Sequence, residues 1–565
     1  MFLHVDATHR TLNASVGGDP TNPIQEVWRW NPPSVAQFTT SPAAPATTSE
    51  WTSWNRTNAS SALQRLTGDG AYLVRVGAGV TSYVWDVKGK PVPPRHVWSV
   101  SGLNLVGFPT MPGTPPSFAT FLAQAPDLQS VTPEIYRYVG GDLGPTNPVL
   151  VAPPTFATTP VPRGQAFWMR AGTAFQRYFG PFEVQLSSVS GLDFGTDRAT
   201  ASVRLRNLTT SALTVRGLLQ ASAAPPANQP AIAGEPPILV RVAPPAGSLV
   251  FGASNWVTGT VQAWRLEPRE QPGSEVEGVL GLNRSAMTQP EGTLLAGILR
   301  FVDAPGLYQI HVPVSAVAGS RSGLWVGDAS VDRVAQSLKI YERQAGSAPE
   351  VGPDGRYVVT GLDTALTSVT RPYPLRLIVH DPAGGGATKL LQRVYYGLDR
   401  STNTIASSGE SALHPGFLGA ARRISAPHLP WMASNAVWAM SGKLGVDTNL
   451  SVTVAVAYDD QASNPFLHTY HPDHDNRTAT FDALLPVGAE SYRIERAITL
   501  VVEPPTNDFD GLVNAGSTLQ GEYRETLGLI GLSRPGGTND TRRVDVRGRF
   551  RLQRISDVPE LVLAP

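Results

Sequence analysis

The segment Val544–Leu552 reads Val-Asp-Val-Arg-Gly-Arg-Phe-Arg-Leu, in which apolar residues alternate with charged ones. Successive side chains of a β-strand point to opposite faces of the sheet, so this period of two predicts a strand with one buried and one exposed face. The face predicted to be buried holds Val544, Val546, Phe550 and Leu552. The opposite face holds a row of arginines, Arg547, Arg549 and Arg551. Such a row is either a solvated face or a surface that binds an acidic sugar or the carboxylates of a neighbour.

The rest of the chain repeats this pattern in short pieces. Leu450–Tyr458 (LSVTVAVAY) alternates in the same way, and 54 glycines and 50 prolines among 565 residues supply frequent turns. Hydrophobic residues make up 41% of the chain, enough for folded cores, and the length is too great for one core. The expected fold class is all-β, with tandem antiparallel β-sandwich or Ig-like domains and little helix. Ser330–Tyr341 and Pro415–Arg423 are the best candidates for short helices.

Charge and composition exclude several classes of protein. Lys and Arg total 45, as do Asp and Glu, so the net charge is zero and no nucleic-acid partner is expected. The chain has no cysteine, which excludes disulfides, cysteine-ligated metals and thiol catalysis. No stretch is apolar for long enough to predict a membrane span. No nucleophile elbow, phosphate-binding loop or dinucleotide-binding motif occurs, so the protein is not expected to be an enzyme.

Two pairs of aromatic-rich strands in the first third suggest a duplication. Glu26–Trp30 (EVWRW) matches Glu134–Tyr138 (EIYRY), and Gly70–Val76 matches Gly164–Ala171 in the same order. The connection between the two strands is shorter in the second copy. The first copy lacks a good opening strand. Either the chain begins inside a unit, or a neighbouring subunit donates the missing strand by β-strand addition.

The second copy opens with Trp98–Pro109 (WSVSGLNLVGFP). With the two matched strands, this segment resembles the "GWNLVGFP…VYRY…GxGYWVR" units of large secreted or surface β-proteins from environmental Gram-negative bacteria, over roughly residues 20–180. The resemblance implies an exported protein, and it brings no established chemistry with it.

The next part of the chain resembles a second family. Gly191–Gly195, Ala201–Asn207 and Ala212–Val215 are similar to the opening of Hydin-type Ig-like sandwich domains. Ile298–Val302 and Tyr308–Val314 would close such a domain. The resemblance implies an Ig-like sandwich over about residues 183–318, and the alternating strands argue for a sandwich independently.

These observations divide the chain into four predicted segments. Residues 1–96 form a first aromatic-rich β unit, which is incomplete if its opening strand is missing, and residues 97–182 form a second, related unit. Residues 183–320 form the Hydin-type Ig-like sandwich. Residues 321–565 form a C-terminal β-sandwich region with room for two subdomains.

The densest group of potential metal ligands is the segment His468–Asn476 (HTYHPDHDN). Imidazole and carboxylate groups ligate zinc and similar metals, and carboxylates also suit calcium. The candidate ligands are His468, His471, Asp473, His474 and Asp475. A plain structural loop, a structural calcium or zinc ion and a catalytic metal all stay open here. No cofactor is required by the sequence.

Trp51 and Trp54 are the candidate ligand-binding aromatics. They lie in a Ser/Thr-rich stretch that is typical of an exposed loop, and exposed aromatic rings stack on the apolar faces of sugars. Trp28, Trp30, Tyr72 and Trp168 fall in alternating strands and are predicted to fill cores instead.

The expected function is that of a non-catalytic structural protein of the cell surface or extracellular space. It would be exported, with a signal that this chain does not contain, and would serve self-assembly into a filament or layer, or adhesion. The expected partner is a second copy of the chain, which pairs through β-strand edges to form a homo-oligomer or homopolymer. Glycans are a further candidate partner. The alternatives are an array of carbohydrate-binding modules and a metal-dependent hydrolase built on the histidine segment.

Overall fold

The computed structural model describes most of the chain. The described residues are 1–32, 41–42, 45–46, 50–95, 102–172, 180–188, 191–337, 339–340, 361–362, 367–391, 395–399, 403–407, 422–425, 438–445, 448–460, 464, 467, 477–478, 480–485, 492–530 and 542–561. They form antiparallel sheets with a few short helices, which confirms the predicted all-β class. The chain divides into two compact units, unit 1 over 1–319 and 507–513 and unit 2 over 320–506 and 514–565. None of the helices in the described part is long and apolar enough to cross a membrane.

In the part of unit 1 that the structure describes, there are twenty strands and six short helical segments. The strands are β1 (Phe2–Leu3), β2 (Val5–Asp6), β3 (Ile24–Trp30), β4 (Trp51–Asn55), β5 (Gly70–Val76), β6 (Lys90–Pro91), β7 (Asn104–Val106), β8 (Glu134–Arg137), β9 (Val149–Leu150), β10 (Phe167–Arg170), β11 (Phe182–Leu186), β12 (Leu192–Asp193), β13 (Thr200–Asn207), β14 (Leu213–Ala221), β15 (Ile238–Val242), β16 (Gly252–Trp256), β17 (Val261–Leu266), β18 (Glu275–Leu282), β19 (Leu294–Asp303) and β20 (Gln309–Val317). The helical segments are a π-helix (Asn13–Gly17), α1 (Phe118–Ala123), α2 (Pro126–Ser130), two 3-10 turns (Pro153–Thr155 and Arg284–Ala286) and α3 (Phe509–Asn514).

The first two large sheets of unit 1 share one topology. Their strand orders are β1-β5-β3-β4 and β7-β10-β8-β9, so each strand of the first sheet has an equivalent in the second. The cross-strand register is also the same, because Glu26 lies opposite Arg75 and Glu134 opposite Arg170. Both pairs form ion pairs, at 3.6 Å and 3.5 Å. Identical order and register are what a duplicated unit produces. In the first sheet, β1 takes the place that β7 has in the second.

The first sheet is buried on both faces. One face packs on a core that includes Trp54, Tyr72 and Val27. The other face contributes Trp30 and Trp51 to an aromatic core with Trp168 of the second sheet, at ring-centroid distances of 5.6 and 6.4 Å. Edge-to-face arrangements like these are the favoured geometry for aromatic pairs. The prediction that Trp30, Tyr72 and Trp168 fill cores is confirmed, since each is at most 3% exposed. Trp28, the fourth residue of that prediction, is only half-buried and packs against the aromatic core.

Two five-stranded sheets form the sandwich of unit 1. Their orders are β11-β13-β18-β15-β16 and β12-β20-β19-β14-β17, with β12 parallel to β20. Strands β11-β13-β18-β15 follow the ABED order, and strands β14-β19-β20 the CFG order, of immunoglobulin-like sandwiches. Alternate residues of the strands, such as Val203 and Leu205 or Val312 and Val314, point into the core between the sheets. The predicted β-sandwich is therefore present in this part of the chain.

A short helix from late in the sequence completes this sandwich. Phe509 and Val513 of α3 pack on Leu239 at the outer face of the first five-stranded sheet. Gly281 of β18 permits the close approach, because a methyl group there would lie 2.2 Å from Cγ1 of Val513. The amide of Phe509 also donates a hydrogen bond to the carbonyl of Phe251 at 3.0 Å.

Thirteen further strands are found in the described residues of unit 2. They are β21 (Gly323–Ser337), β22 (Lys339–Ile340), β23 (Gly361–Leu362), β24 (Thr367–Asp381), β25 (Lys389–Leu391), β26 (Tyr395–Asp399), β27 (Asn403–Ser407), β28 (Arg422–Ser425), β29 (Trp438–Ala439), β30 (Asn449–Val456), β31 (Arg493–Val502), β32 (Thr518–Ile530) and β33 (Arg542–Ser556). The main sheet has the order β29-β25-β24-β21-β33-β32-β31-β30, and two small sheets have the orders β22-β23 and β27-β26-β28.

The main sheet of unit 2 closes on itself. Ser441, just after β29, exchanges backbone hydrogen bonds of 2.7 and 3.1 Å with Ser451 of β30. The inner face carries the core of the unit, and the strand predicted from its alternation, now β33, lies between β21 and β32. Its four apolar residues are buried as predicted, at 0–2% exposure. They are Val544, Val546, Phe550 and Leu552.

One helix prediction is wrong. Residues 330–337, the first part of the predicted helix Ser330–Tyr341, belong to β21. The register of β21 shifts between Val331 and Arg333, where a bulge interrupts the ladder. Val331 and Val334 therefore both face the core, and their spacing of three imitates a helical period. The other candidate, Pro415–Arg423, falls mostly outside the described residues.

A charged pair is buried inside the closed sheet. The guanidinium of Arg496 (β31) and the carboxylate of Glu525 (β32) form an ion pair at 2% and 0% side-chain exposure. The Tyr523 hydroxyl donates a hydrogen bond to the same carboxylate. The guanidinium also lies over the Trp438 ring, 5.5 Å from its centroid. These contacts compensate the cost of removing two charges from water.

Candidate functional site

The most distinctive surface of unit 1 is the hairpin that joins β8 and β9, which we call the apolar hairpin (residues 138–151). Four apolar side chains are exposed on it, by 55, 41, 39 and 52%: Val139, Leu143, Val149 and Leu150. Asp142 is the single charged residue in this segment. Several exposed apolar residues on a segment with so little charge favour a surface that another molecule covers.

The hairpin is held in shape by a buried asparagine. The Asn147 side-chain amide donates to the carbonyls of Gly140 and Asp142, at 2.8 and 3.2 Å, and its oxygen accepts from the amide of Val139 at 3.3 Å. The backbones of Asn147 and Gly144 exchange two further hydrogen bonds of 3.1 and 3.2 Å. The apolar side chains are thus presented by a preorganised loop, which lowers the entropy lost on association.

The strand β9 is the outer strand of its sheet. The amide of Val151 donates to the carbonyl of Ile135 at 2.8 Å, so the facing residues Tyr136 and Leu150 form a non-hydrogen-bonded pair. The N–H and C=O of Leu150 therefore point away from the sheet. A backbone in this position is a template for another strand.

The duplicated unit shows how the same edge is covered elsewhere. Ser53 of β4 lies opposite Trp28, just as Leu150 lies opposite Tyr136. In the first aromatic-rich β unit (sheet β1-β5-β3-β4), the Ser53 carbonyl accepts a hydrogen bond of 2.9 Å from the amide of Leu63, whose side chain is 4% exposed. The chain itself thus shields the edge of β4.

In the second aromatic-rich β unit (sheet β7-β10-β8-β9), the corresponding connection takes a different course. After β9 the chain turns through Pro153–Thr155 and packs against α1, where Phe156 accepts from the amide of Ala119 at 3.0 Å. Among the residues that the structure describes, none takes the place of Leu63 beside Leu150. As far as the described residues show, the edge that is covered in the first aromatic-rich β unit is open in the second aromatic-rich β unit.

The base of the apolar hairpin holds a partly buried, uncharged hydroxyl group, that of Tyr138. The Trp168 indole donates to the Tyr138 hydroxyl at 3.0 Å, and burial raises the pKa of that hydroxyl above its ordinary value. Tyr138 therefore stays neutral over the physiological pH range. The Tyr138 hydroxyl therefore adds no charge beside the exposed apolar side chains.

The predicted metal site falls in a segment that the structure does not describe. His468, His471, Asp473, His474 and Asp475 all lie outside the described residues. In the described part of the chain, no three histidine or acidic side chains come together as a possible metal site. Binding of calcium or zinc at the histidine segment stays a prediction.

The prediction that Trp51 and Trp54 are exposed is wrong. Both lie on strand β4, and they are 6% and 0% exposed. Their spacing of three places them on opposite faces of the strand, and both are buried because this sheet is covered on both faces. The Trp54 indole donates to Asn13 Oδ1 at 2.6 Å. Neither ring is available to stack on a sugar.

The predicted row of arginines lies on the outer face of β33, where two of the three are engaged in ion pairs. Arg549 pairs with Glu503, and Arg547 lies 3.6 Å from Glu522. Arg551 is exposed, and no ion pair is found for it among the described residues.

A cluster of basic groups packs on the outer face of the second five-stranded sheet. Nη2 of Arg163 lies 3.5 Å from Nδ1 of His311, and Nη1 donates to the carbonyl of Gln309 at 3.1 Å. Burial, then the charges of Arg163 and Arg300, lower the pKa of His311 from 6.5 to about 4. Burial also lowers the pKa of the neighbouring His4.

This cluster predicts acid sensitivity. Between pH 6.5 and about 4 the unfolded His311 binds a proton and the folded one does not, so stability falls as the pH falls through this window. The loss from His311 is about 3 kcal/mol, at 1.36 kcal/mol per unit of pKa difference. Urea unfolding at pH 7 and pH 4.5 measures it, and His311→Gln is expected to flatten the dependence.

Comparing the parent with His311→Gln cancels the pH dependence of other groups that acts in the opposite direction. Burial raises the pKa of Asp69 to about 6, so its contribution to stability falls as the pH rises from 3.8 to 6. That effect is common to both proteins and cancels in the difference. Equal pH dependence in the parent and in His311→Gln would contradict the assignment.

Comparisons with known proteins add little. No family model matches the sequence, and no curated protein matches it. One solved structure that is similar is the Pseudomonas aeruginosa CupB2 chaperone, at 9% identity and a TM-score of 0.15, covering 39% of this chain and 97% of that one. Another is a multidomain protein including DUF1735 from Bacteroides ovatus, at 9% identity and a TM-score of 0.12, covering 66% of this chain and 95% of that one.

The apolar hairpin was not singled out by sequence reasoning. A signal for it is present in Val139–Val151 (VGGDLGPTNPVLV), a stretch of turn residues with apolar residues at its ends and one charge. Turn residues alone do not distinguish a hairpin that packs on its own domain from one that is left open.

Proposed function

We propose that this protein is a non-catalytic structural protein of the cell surface or extracellular space, and that it assembles with further copies of itself through β-strand edges. The observation that carries the proposal is the open edge at Leu150, flanked by exposed apolar side chains. The zero net charge supports it, because neutral chains meet little long-range repulsion.

The partner at this edge is a second copy of the apolar hairpin. Antiparallel pairing of two β9 strands about a two-fold axis would join the Leu150 N–H of each copy to the Leu150 C=O of the other. The exposed side chain of Leu150 would then meet its own counterpart, and Val149 of each copy would lie opposite Val151 of the other. Self-pairing brings no like charges into direct contact on β9, because neither residue of this strand is charged.

The contact is small, so we expect weak, concentration-dependent association. Leu150→Lys is expected to weaken it at least tenfold, because burying a leucine side chain contributes about 1.5–3 kcal/mol and a buried lysine is costly. Light scattering after size exclusion over a range of concentrations, with electron micrographs of the same samples, measures the effect.

Leu249→Lys is the matched control. Leu249 is 94% exposed, more than Leu150, but it lies in the loop after β15 rather than on an edge strand. If exposed apolar residues promote association without edge pairing, both variants will weaken it equally. A parent protein that keeps the 60.2 kDa mass of one chain at the highest concentration would overturn the proposal.

A further inference from the structure

A groove lies on the outer face of the main sheet of unit 2. It has a volume of about 390 Å³, and its side-chain lining comes from four adjacent strands, β24, β21, β33 and β32. The lining side chains are Asp328, Ser330, Pro372, Pro374, Gln520, Arg549 and Arg551. The volume lies in the lower part of the range of small-ligand sites.

The register explains why the groove forms. Ser330 lies between Pro374 on one side and Arg549 on the other, so a short side chain is surrounded by longer ones. In the next row, Arg551 lies opposite Asp328 and Gln520. Pro374 has no N–H for the ladder, and the pairing of β24 with β21 becomes irregular just beyond it.

Of the three charged side chains that line the groove, two are held in ion pairs. Asp328 pairs with Arg376 at 3.1 Å, and Arg549 is held by Glu503. Arg551 is exposed, with no ion pair among the described residues. Its guanidinium offers the planar pair of donors that matches a carboxylate, and it stands beside the polar side chains of Asp328 and Gln520.

We propose that this groove binds an acidic saccharide. The carboxylate of a uronic acid residue pairs with Arg551, and its hydroxyl groups bond to Asp328, Gln520 and Ser330. The exposed Pro372 and Pro374 form an apolar wall for the C–H face of the ring. A glutamate peptide would offer carboxylates and backbone amides but no hydroxyl groups for this set, so a saccharide fits better. This binding is separate from assembly at the apolar hairpin, which lies in unit 1.

Titration calorimetry and NMR with tri-galacturonate test the proposal. We expect binding that weakens with salt, weakens at least tenfold in Arg551→Gln, and disappears in Ser330→Phe, which fills the groove. Arg543→Gln is the matched control, because Arg543 lies on the same face of β33 and pairs with Asp545 at 3.3 Å, but does not line the groove. It should bind as the parent does.

Three outcomes would overturn the proposal. The first is equal binding of the methyl ester of the same trisaccharide, since the ester has no carboxylate for Arg551. The second is equal binding of tri-glutamate, which would indicate a site for acidic peptides. The third is equal loss in Arg551→Gln and Arg543→Gln, which would indicate general attraction to the sheet face. Circular dichroism and melting temperature of each variant separate loss of binding from loss of fold.

Discussion

Replacing Glu525 with alanine is expected to destabilise unit 2 by about 3–5 kcal/mol. The carboxylate is fully buried and compensates the charge of Arg496, which is itself 2% exposed. Removing it leaves a guanidinium charge inside the closed sheet and takes the acceptor away from the Tyr523 hydroxyl. Urea unfolding, with hydrogen exchange of peptides from β31 and β32, measures the change.

Glu522→Ala is the control for this variant. Glu522 lies on the same strand but on the outer face, and pairs with Arg524 at side-chain exposures of 27% and 49%. Its loss should cost less than about 1 kcal/mol, because exposed ion pairs contribute little.

A second variant keeps the test informative if Glu525→Ala does not fold. Replacing the pair together, as Arg496→Met with Glu525→Leu, removes both charges and should be close to neutral or stabilising. If Glu525→Ala and Glu522→Ala cost the same, the buried pair does not have the role assigned to it.

Trp54→Ala is expected to destabilise unit 1 by about 3–5 kcal/mol, the usual range for removing a buried tryptophan. The ring is 0% exposed in the core beside Tyr72 and Val27, and its indole N–H is bonded to Asn13. An exposed sugar-binding tryptophan would behave in the opposite way, with binding lost and stability kept. Calorimetric unfolding distinguishes the two.

Tyr83→Ala provides the comparison in the same part of the chain. Tyr83 is 41% exposed, and its replacement should change stability by no more than about 0.5 kcal/mol. A melting temperature that falls equally in both variants would show that the loss at Trp54 is not caused by its burial.

Period-two alternation predicted the strands that have one buried and one open face. Val544–Leu552 is such a strand, and each of its apolar residues lies where the pattern puts it. The same rule failed at residues 330–337, because the bulge after Val331 inserts a residue into the alternation and produces a helical spacing. A local pattern cannot reveal such a bulge, since the partner strand that defines it lies more than two hundred residues away in the sequence.

Sequence patterns also could not predict that the first sheet is covered on both faces. Ser/Thr-rich flanks predicted an exposed position for Trp51, yet this side packs against the second sheet through Trp168. The open edge at Leu150 could not be predicted from the sequence, for a related reason. Whether an edge is covered depends on the course of a connection that shares no motif with the strand, as the contrast between Leu63 and the turn after β9 demonstrates.

The packing of α3 on unit 1 also has a consequence for synthesis of the chain. Residues 1–319 leave the ribosome long before Phe509 and Val513, which cover Leu239. At roughly 5–20 residues per second, translation of the intervening segment lasts about 10–40 s. During that interval the outer face of the sandwich is apolar and uncovered in every nascent chain. On a polysome, where several copies are close together, the last step of folding unit 1 therefore competes with contact between neighbouring nascent chains.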